Sequence, residues 1–122
     1  MELTLITAML LLAIKHFIVD FMMQPPYQWQ NKGTYGHPGG LLHSLTHAAG
    51  TGMVFSLFTT PTVSAIAAVI DLVVHYHIDW AKMNINLIKG WKADTHPEFW
   101  VLLGLDQFLH TVTYIGLLFL LF

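Results

Sequence analysis

The sequence contains no cysteine and no arginine. Without cysteine there is no disulfide framework and no thiolate metal site. Charge of either sign is scarce: charged residues make up 10% of 122, against about a quarter in an ordinary soluble domain. The formal net charge is −2 with histidine neutral, and five lysines are the only basic groups besides histidine. No electrostatic footprint for nucleic acid is present, so a nucleic-acid partner is not expected. No basic segment precedes the first apolar run either. Met1-Glu2-Leu3-Thr4 lacks lysine and the run that follows is long, so it is read as a retained membrane helix rather than a cleaved leader.

What remains is apolar. Hydrophobic residues make up 55% of the chain and mean hydropathy is +0.59. These values point to a bilayer as solvent and to one domain, residues 1–122. The spans are expected at about 3–23, 41–58, 62–80 and 98–122. Gln24-Pro25-Pro26 ends the first. The polar, Gly/Pro-rich stretch from Tyr27 to Gly40 reads as a loop. Ala48, Ala49, Gly50 and Gly52 let the second span approach its neighbours closely. Thr60-Pro61 opens the third with an N-cap and a proline at the first helical position. Residues 81–94 carry Met83, Leu87, Ile88 and Trp91 on one face, which suggests a short interfacial helix. Thr95 with Glu98 matches a capping box ahead of the fourth span. The fold expected is all-α: an integral-membrane, up-and-down bundle of four transmembrane helices.

Eight histidines are an excess in so small a chain. Four pairs repeat one spacing: His16/Asp20, His43/His47, His75/Asp79 and Asp106/His110. Residues four apart share a helix face, one turn above the other. In an antiparallel bundle the first and third loops lie on one side. They hold Lys32, Lys82, Lys89 and Lys92, whereas the second loop and the termini hold no lysine. The positive-inside rule then places those loops in the cytoplasm and both termini outside. All four pairs fall at similar depth from that cytoplasmic side. A buried Asp costs ~2.5–3.5 kcal/mol on insertion scales, so these groups must face inward and find partners.

A divalent metal is the partner that histidine and carboxylate ligands favour together, zinc first, with manganese or iron as other fits. The candidate ligands are His16, Asp20, His43, His47, His75, Asp79, Asp106 and His110. Among them Asp20, Asp79 and Asp106 are the candidates for general base. Asp71 extends the His75/Asp79 face by a turn and either orients a ligand or contacts a neighbouring helix. Gln24 either hydrogen-bonds a ligand or caps the first helix, and Gln107 adjoins the last pair as a further ligand-orienting group. His37 and His96 read as loop residues, and no site role is given to His77. Lys15 and Lys32 read as snorkelling or solvated. The competing account is a His–Asp hydrogen-bond network that fixes helix register.

At these residues the chain resembles a family of small bacterial and phage membrane proteins grouped as domain of unknown function 3307. The resemblance rests on Lys15-His16-Phe17-Ile18-Val19-Asp20-Phe21 with Gln24, on Leu42-His43, on His75-Tyr76-His77-Ile78-Asp79 and on Asp106-Gln107-Phe108-Leu109-His110. It implies a bacterial inner-membrane location and carries no activity. A more distant similarity is to membrane-bound metal-dependent hydrolases, through the His43-Ser44 pair. The ceramidase-like members carry a Ser-x3-His, whereas here Ser44 lies three residues before His47, and they have more helices.

The function expected is a metal-dependent hydrolase acting at the cytoplasmic membrane interface on a lipid or lipid-linked substrate. Its partners are membrane lipids. The first alternative is a divalent-metal or proton transporter, which would need a homo-oligomer because four spans make a thin conduit. The second is a non-catalytic membrane scaffold with a structural metal or a His–Asp network.

Overall fold

The computed structural model describes residues 1–122, and all of its regular structure is helical. Helix α1 spans Glu2–Phe17 and continues into a π-helical turn, Ile18–Met22. A single turn, α2 (Pro26–Trp29), follows within the stretch expected to be loop. The three remaining helices are α3 (Pro38–Ser56), α4 (Pro61–Lys89) and α5 (Pro97–Leu121).

The prolines set the starts. Pro26, Pro38, Pro61 and Pro97 each occupy the first turn, where the missing N–H was an orphan donor anyway. At α4 the expected cap forms, with Val63 N–H donating to Thr60 Oγ1 at 3.3 Å. At α5 the expected capping box does not. Pro97 forces the residue before it into extended backbone, so His96 (φ −128°, ψ 117°) is the N-cap. Thr95 Oγ1 instead pairs with His96 Nδ1 at 2.8 Å.

Two further boundaries differ from expectation. Helix α3 starts at Pro38, so Gly39 and Gly40 are helical rather than loop. Helix α4 does not stop near Trp80 but runs to Lys89, absorbing most of the expected interfacial helix. Nothing from Ala81 to Lys89 breaks a helix, and the first breaker is Gly90. Gly90 adopts φ +67°, with Trp91 N–H donating to Asn86 O at 3.0 Å and Gly90 N–H to Leu87 O at 3.3 Å. That is a Schellman termination, and it needs the left-handed backbone glycine supplies.

Three helical stretches are long and apolar enough to cross a membrane: Glu2–Met22, Pro61–Lys89 and Pro97–Leu121. Helix α3 is not among them, because its glycines, hydroxyls and two histidines dilute its apolar content. It is the most enclosed helix in character, packing along α4 and against α1.

The bundle has two unlike ends. One is an apolar core of Ala8, Leu12, Val54, Phe55, Ala67, Leu117 and Leu118, joined by Tyr114. Both termini lie there: Met1 and Phe122 line one shallow cavity, and the Phe122 ring sits 5.7 Å from that of Phe58. The other end buries polar groups. Close approach there depends on glycine. A Cβ on Gly50 would lie 2.5 Å from Lys15 Cγ, and one on Gly40 would lie 2.8 Å from Lys32 Cα. Each glycine lets a lysine cross directly over α3 and turn inward.

Candidate metal centre

The α1 terminus shows how local structure aims the site. Its last turns widen from i→i−4 to i→i−5 pairing, with Met23 N–H donating to Ile18 O at 2.9 Å. A π turn of this kind re-aims side chains at the end of a helix. Here it carries Asp20 inward beside Lys15 and His16, and the Asp20 side chain is only 6% exposed.

Two carboxylates organise the site, each wrapped by three imidazoles. Asp20 lies 3.1 Å from His16 Nε2, 3.1 Å from His43 Nε2 and 2.7 Å from His47 Nε2. Asp79 lies 3.3 Å from His43 Nε2, 3.1 Å from His75 Nε2 and 3.2 Å from His110 Nε2. His43 faces both. The ring of His75 is stacked between His47 and His110, with centroids 3.8 and 4.0 Å away. The side chains come from α1, α3, α4 and α5. Their donor atoms form two overlapping groups within 4.8 Å, Asp20/His43/His47/His75 and His75/Asp79/His110, with His75 common to both.

These short distances are not all hydrogen bonds. Both ring nitrogens of His43 and of His75 lack a hydrogen-bond partner, as do Asp79 Oδ2, Asp106 Oδ1 and His110 Nδ1. His43 and His75 are fully buried, where an unpaired polar atom is costly. Two ligand atoms about 2.1 Å from one ion stand roughly 3–3.5 Å apart, which is the spacing seen here. The donor set therefore fits a divalent cation: around His43 and His75, nitrogens and carboxylate oxygens converge at ligand spacing without the donor-to-acceptor alignment that His47 has with Asp20 and His110 with Asp79.

The remaining candidates divide by what they touch. His16 has both nitrogens engaged, Nδ1 with Tyr114 Oη at 2.7 Å and Nε2 with Gln107 Oε1 at 2.8 Å. It stands outside both groups, as does Asp106. Asp106 lies 3.2 Å from His110 Nε2. Gln107 joins the two edges, its Nε2 donating to Asp20 Oδ2 at 3.1 Å and Asp106 Oδ2 at 2.9 Å. Asp71 touches no histidine; it accepts from Thr51 Oγ1 at 2.6 Å and pairs with Lys15 at 3.5 Å. Gln24 donates to the Asp20 carbonyl at 2.8 Å, which closes the end of α1 rather than holding a ligand side chain. His77 bonds Tyr35 on the outside of α4, His37 caps α3, and His96 occupies the N-cap position of α5 without a capping side-chain bond.

The lysines correct the reading of Lys15 and Lys32 as solvated or snorkelling. Lys15, Lys32 and Lys82 are all buried, and each ends on an aspartate: Asp71 at 3.5 Å, Asp79 at 3.5 Å and Asp106 at 3.2 Å. Lys15 Nζ also donates to Tyr114 Oη at 2.8 Å. Lys82 and Tyr114 had a readable signal. Lys82 lies three residues after Asp79, and Tyr114 four after His110, so each continues a ligand face. The helix break expected at Trp80 hid the first. For Lys15 and Lys32 the signal is the glycine opposite, visible only once the helices are packed.

A helical bundle with membrane-length apolar helices around a buried His/Asp cluster able to hold metal defines the class. Within it, the chain belongs to the DUF3307 family of proteins of unknown function, which matches residues 6–122. No curated protein and no solved structure matches the chain.

Proposed function

We propose that this chain binds divalent metal inside the bacterial inner membrane and acts there as a hydrolase on a lipid or lipid-linked substrate. The observation that carries the metal is the pair of buried imidazoles, His43 and His75, whose four ring nitrogens have no hydrogen-bond partner although carboxylates stand 3.1–3.3 Å away. Zinc suits the nitrogen-rich set best, with manganese or iron as the other fits. In this reading all four long helices cross the bilayer, with α3 shielded by its neighbours. The lysine-rich end, with Lys32, Lys82, Lys89 and Lys92, faces the cytoplasm.

Bound metal would supply water with its pKa lowered toward ~7. Hydrolysis adds that water's hydroxyl to the substrate and its proton to the leaving group. In this reading Asp106 handles the proton, supported by its position outside both ligand groups and on the lining of the groove between α4 and α5. Asp20 and Asp79 remain candidates, each surrounded by imidazoles. Transport is disfavoured by the packed apolar core, which fills the half of the bundle a crossing ion would have to traverse. One observation favours a structural metal instead: His43, His47 and His75 are each 0% exposed.

The test is elemental analysis of detergent-purified protein, with His43→Gln and Asp79→Asn beside the native chain. Stoichiometric metal in the native chain, lost from folded variants, supports the centre. A native chain that stays metal-free after resupply overturns it. Turnover of membrane lipid that disappears in folded Asp106→Asn supports the hydrolase. Metal that raises thermal stability without any turnover supports the structural reading.

A further inference from the structure

Two cavities meet at the edge of the metal centre. One, of about 620 Å³, lies at the lysine-rich end and is lined by Lys32, Lys82, Lys92, Trp29, Trp91 and Gln24, among others. The second, of about 480 Å³, is an apolar groove between α4 and α5, running past Ile78, Ala81, Ile85, Leu105 and Leu109 to Asp106. Lys82 is the residue common to the two linings, and its ammonium ends 3.2 Å from Asp106.

We propose that the two cavities form one seat for an anionic phospholipid, its phosphate beside Lys32, Lys82 and Lys92 and its hydrocarbon chain in the α4–α5 groove. Four independent features point to this occupant. The first is charge. Asp20, Asp71, Asp79 and Asp106 are enclosed with Lys15, Lys32 and Lys82. The cavity itself is lined by Lys32, Lys82 and Lys92 and by no carboxylate, so its lining favours an anion with or without bound metal. Lys92, exposed and in no ion pair, adds a free cation to the same cavity.

The second feature is hydrogen bonding. Gln24 Oε1 and Asn86 Oδ1 are buried without a partner, and both residues line the cavity. Two orphan acceptors suit a headgroup that brings hydroxyl donors as well as phosphate. The third is position. Trp29 and Trp91 line this cavity, and membrane proteins place tryptophan at headgroup level. The fourth is access. Ile85, Leu105 and Leu109 remain 39–49% exposed along the groove, so it opens sideways, toward the space acyl chains occupy. Free phosphate would account for the lysines alone, whereas the groove's junction with them at Lys82 accounts for a chain attached to the phosphate.

The seat deepens the hydrolase reading by naming its substrate class, and its occupancy is testable without metal. The experiment is native mass spectrometry of the detergent-solubilised chain with a chelator present. Phosphatidylglycerol, phosphatidylcholine and inorganic phosphate are offered in turn. Lys92→Gln removes a headgroup cation at an exposed position. Ala81→Leu fills the groove and leaves every charge in place. One phosphatidylglycerol retained per chain is expected, in preference to phosphatidylcholine. Retention should fall about fivefold in Lys92→Gln, the value of one lysine near an anionic headgroup. It should also fall in folded Ala81→Leu.

Equal retention of the two lipids overturns the proposal, as does phosphatidylglycerol retention unchanged in both variants. Inorganic phosphate that displaces the lipid, with binding indifferent to Ala81→Leu, overturns the lipid as occupant. Selective lipid binding by a chain that never takes up metal supports the seat while defeating the hydrolase. Metal without lipid selectivity defeats the seat and leaves the metal centre standing.

Discussion

Lys15 Nζ lies 3.1 Å from His47 Nδ1. Paired with Asp71, Lys15 is an ammonium, which donates only, so Nδ1 of His47 accepts and the ring proton sits on Nε2. That N–H donates to Asp20 Oδ1 at 2.7 Å. In this tautomer His47 offers no lone pair toward the centre, whereas His43 and His75 carry no such constraint. One lysine thus decides whether His47 is a ligand or a donor that orients Asp20.

Removing the lysine together with its counter-charge should change that choice. In Lys15→Met/Asp71→Asn, His47 is free to carry its proton on Nδ1 and present Nε2 to metal. Nitrogen-15 spectra of the imidazoles should show the His47 tautomer change, and zinc should bind more tightly in chelator competition, by about tenfold for one added ligand. An unchanged His47 tautomer would refute the assignment of Lys15 as its donor.

Asp79 and Lys32 form the sharpest test of buried charge. Asp79→Asn leaves Lys32 buried without its partner, and breaking such a pair costs about 3–5 kcal/mol. Asp79→Asn/Lys32→Met removes both charges and should recover most of the stability while still lacking metal. Thermal unfolding in detergent, read beside metal content, separates the two effects. A double variant no more stable than Asp79→Asn would show that Lys32 does not depend on Asp79.

Glycine positions make contrasting predictions. Gly50→Ala places a methyl 2.5 Å from Lys15 Cγ and 2.8 Å from its Cδ, forcing the lysine stem away from His47 and Asp71. A loss of about 1–3 kcal/mol is expected, as for an overpacked core. Gly104→Ala on α5 meets nothing within 4 Å and should be neutral or stabilising by up to ~1 kcal/mol. Denaturant unfolding of the two variants side by side checks the difference. Equal effects would mean that Lys15 does not depend on the bare backbone of α3.

Much of this protein is local and therefore readable in its sequence. Apolar runs bounded by prolines mark the long helices, because proline tolerates only a first turn. The i,i+4 spacing of His16/Asp20, His43/His47, His75/Asp79 and Asp106/His110 fixes pairs of polar groups on single helix faces. Similar depth follows from antiparallel order. Length alone does not join the third span to the interfacial helix expected after Trp80, and α4 runs through both because no residue from Ala81 to Lys89 breaks a helix.

What tertiary structure alone decided is which groups share a partner. Rotation of each helix about its axis sets whether His43 faces one carboxylate or two, and no spacing within α3 encodes that rotation. The inward path of Lys15 and Lys32 depends on the missing side chains of Gly50 and Gly40 on another helix. Their final partners depend on aspartates further away still. Helix faces come from short-range backbone geometry. The carboxylate–imidazole–lysine network comes from contacts between residues up to 99 positions apart, and only packing brings those into register.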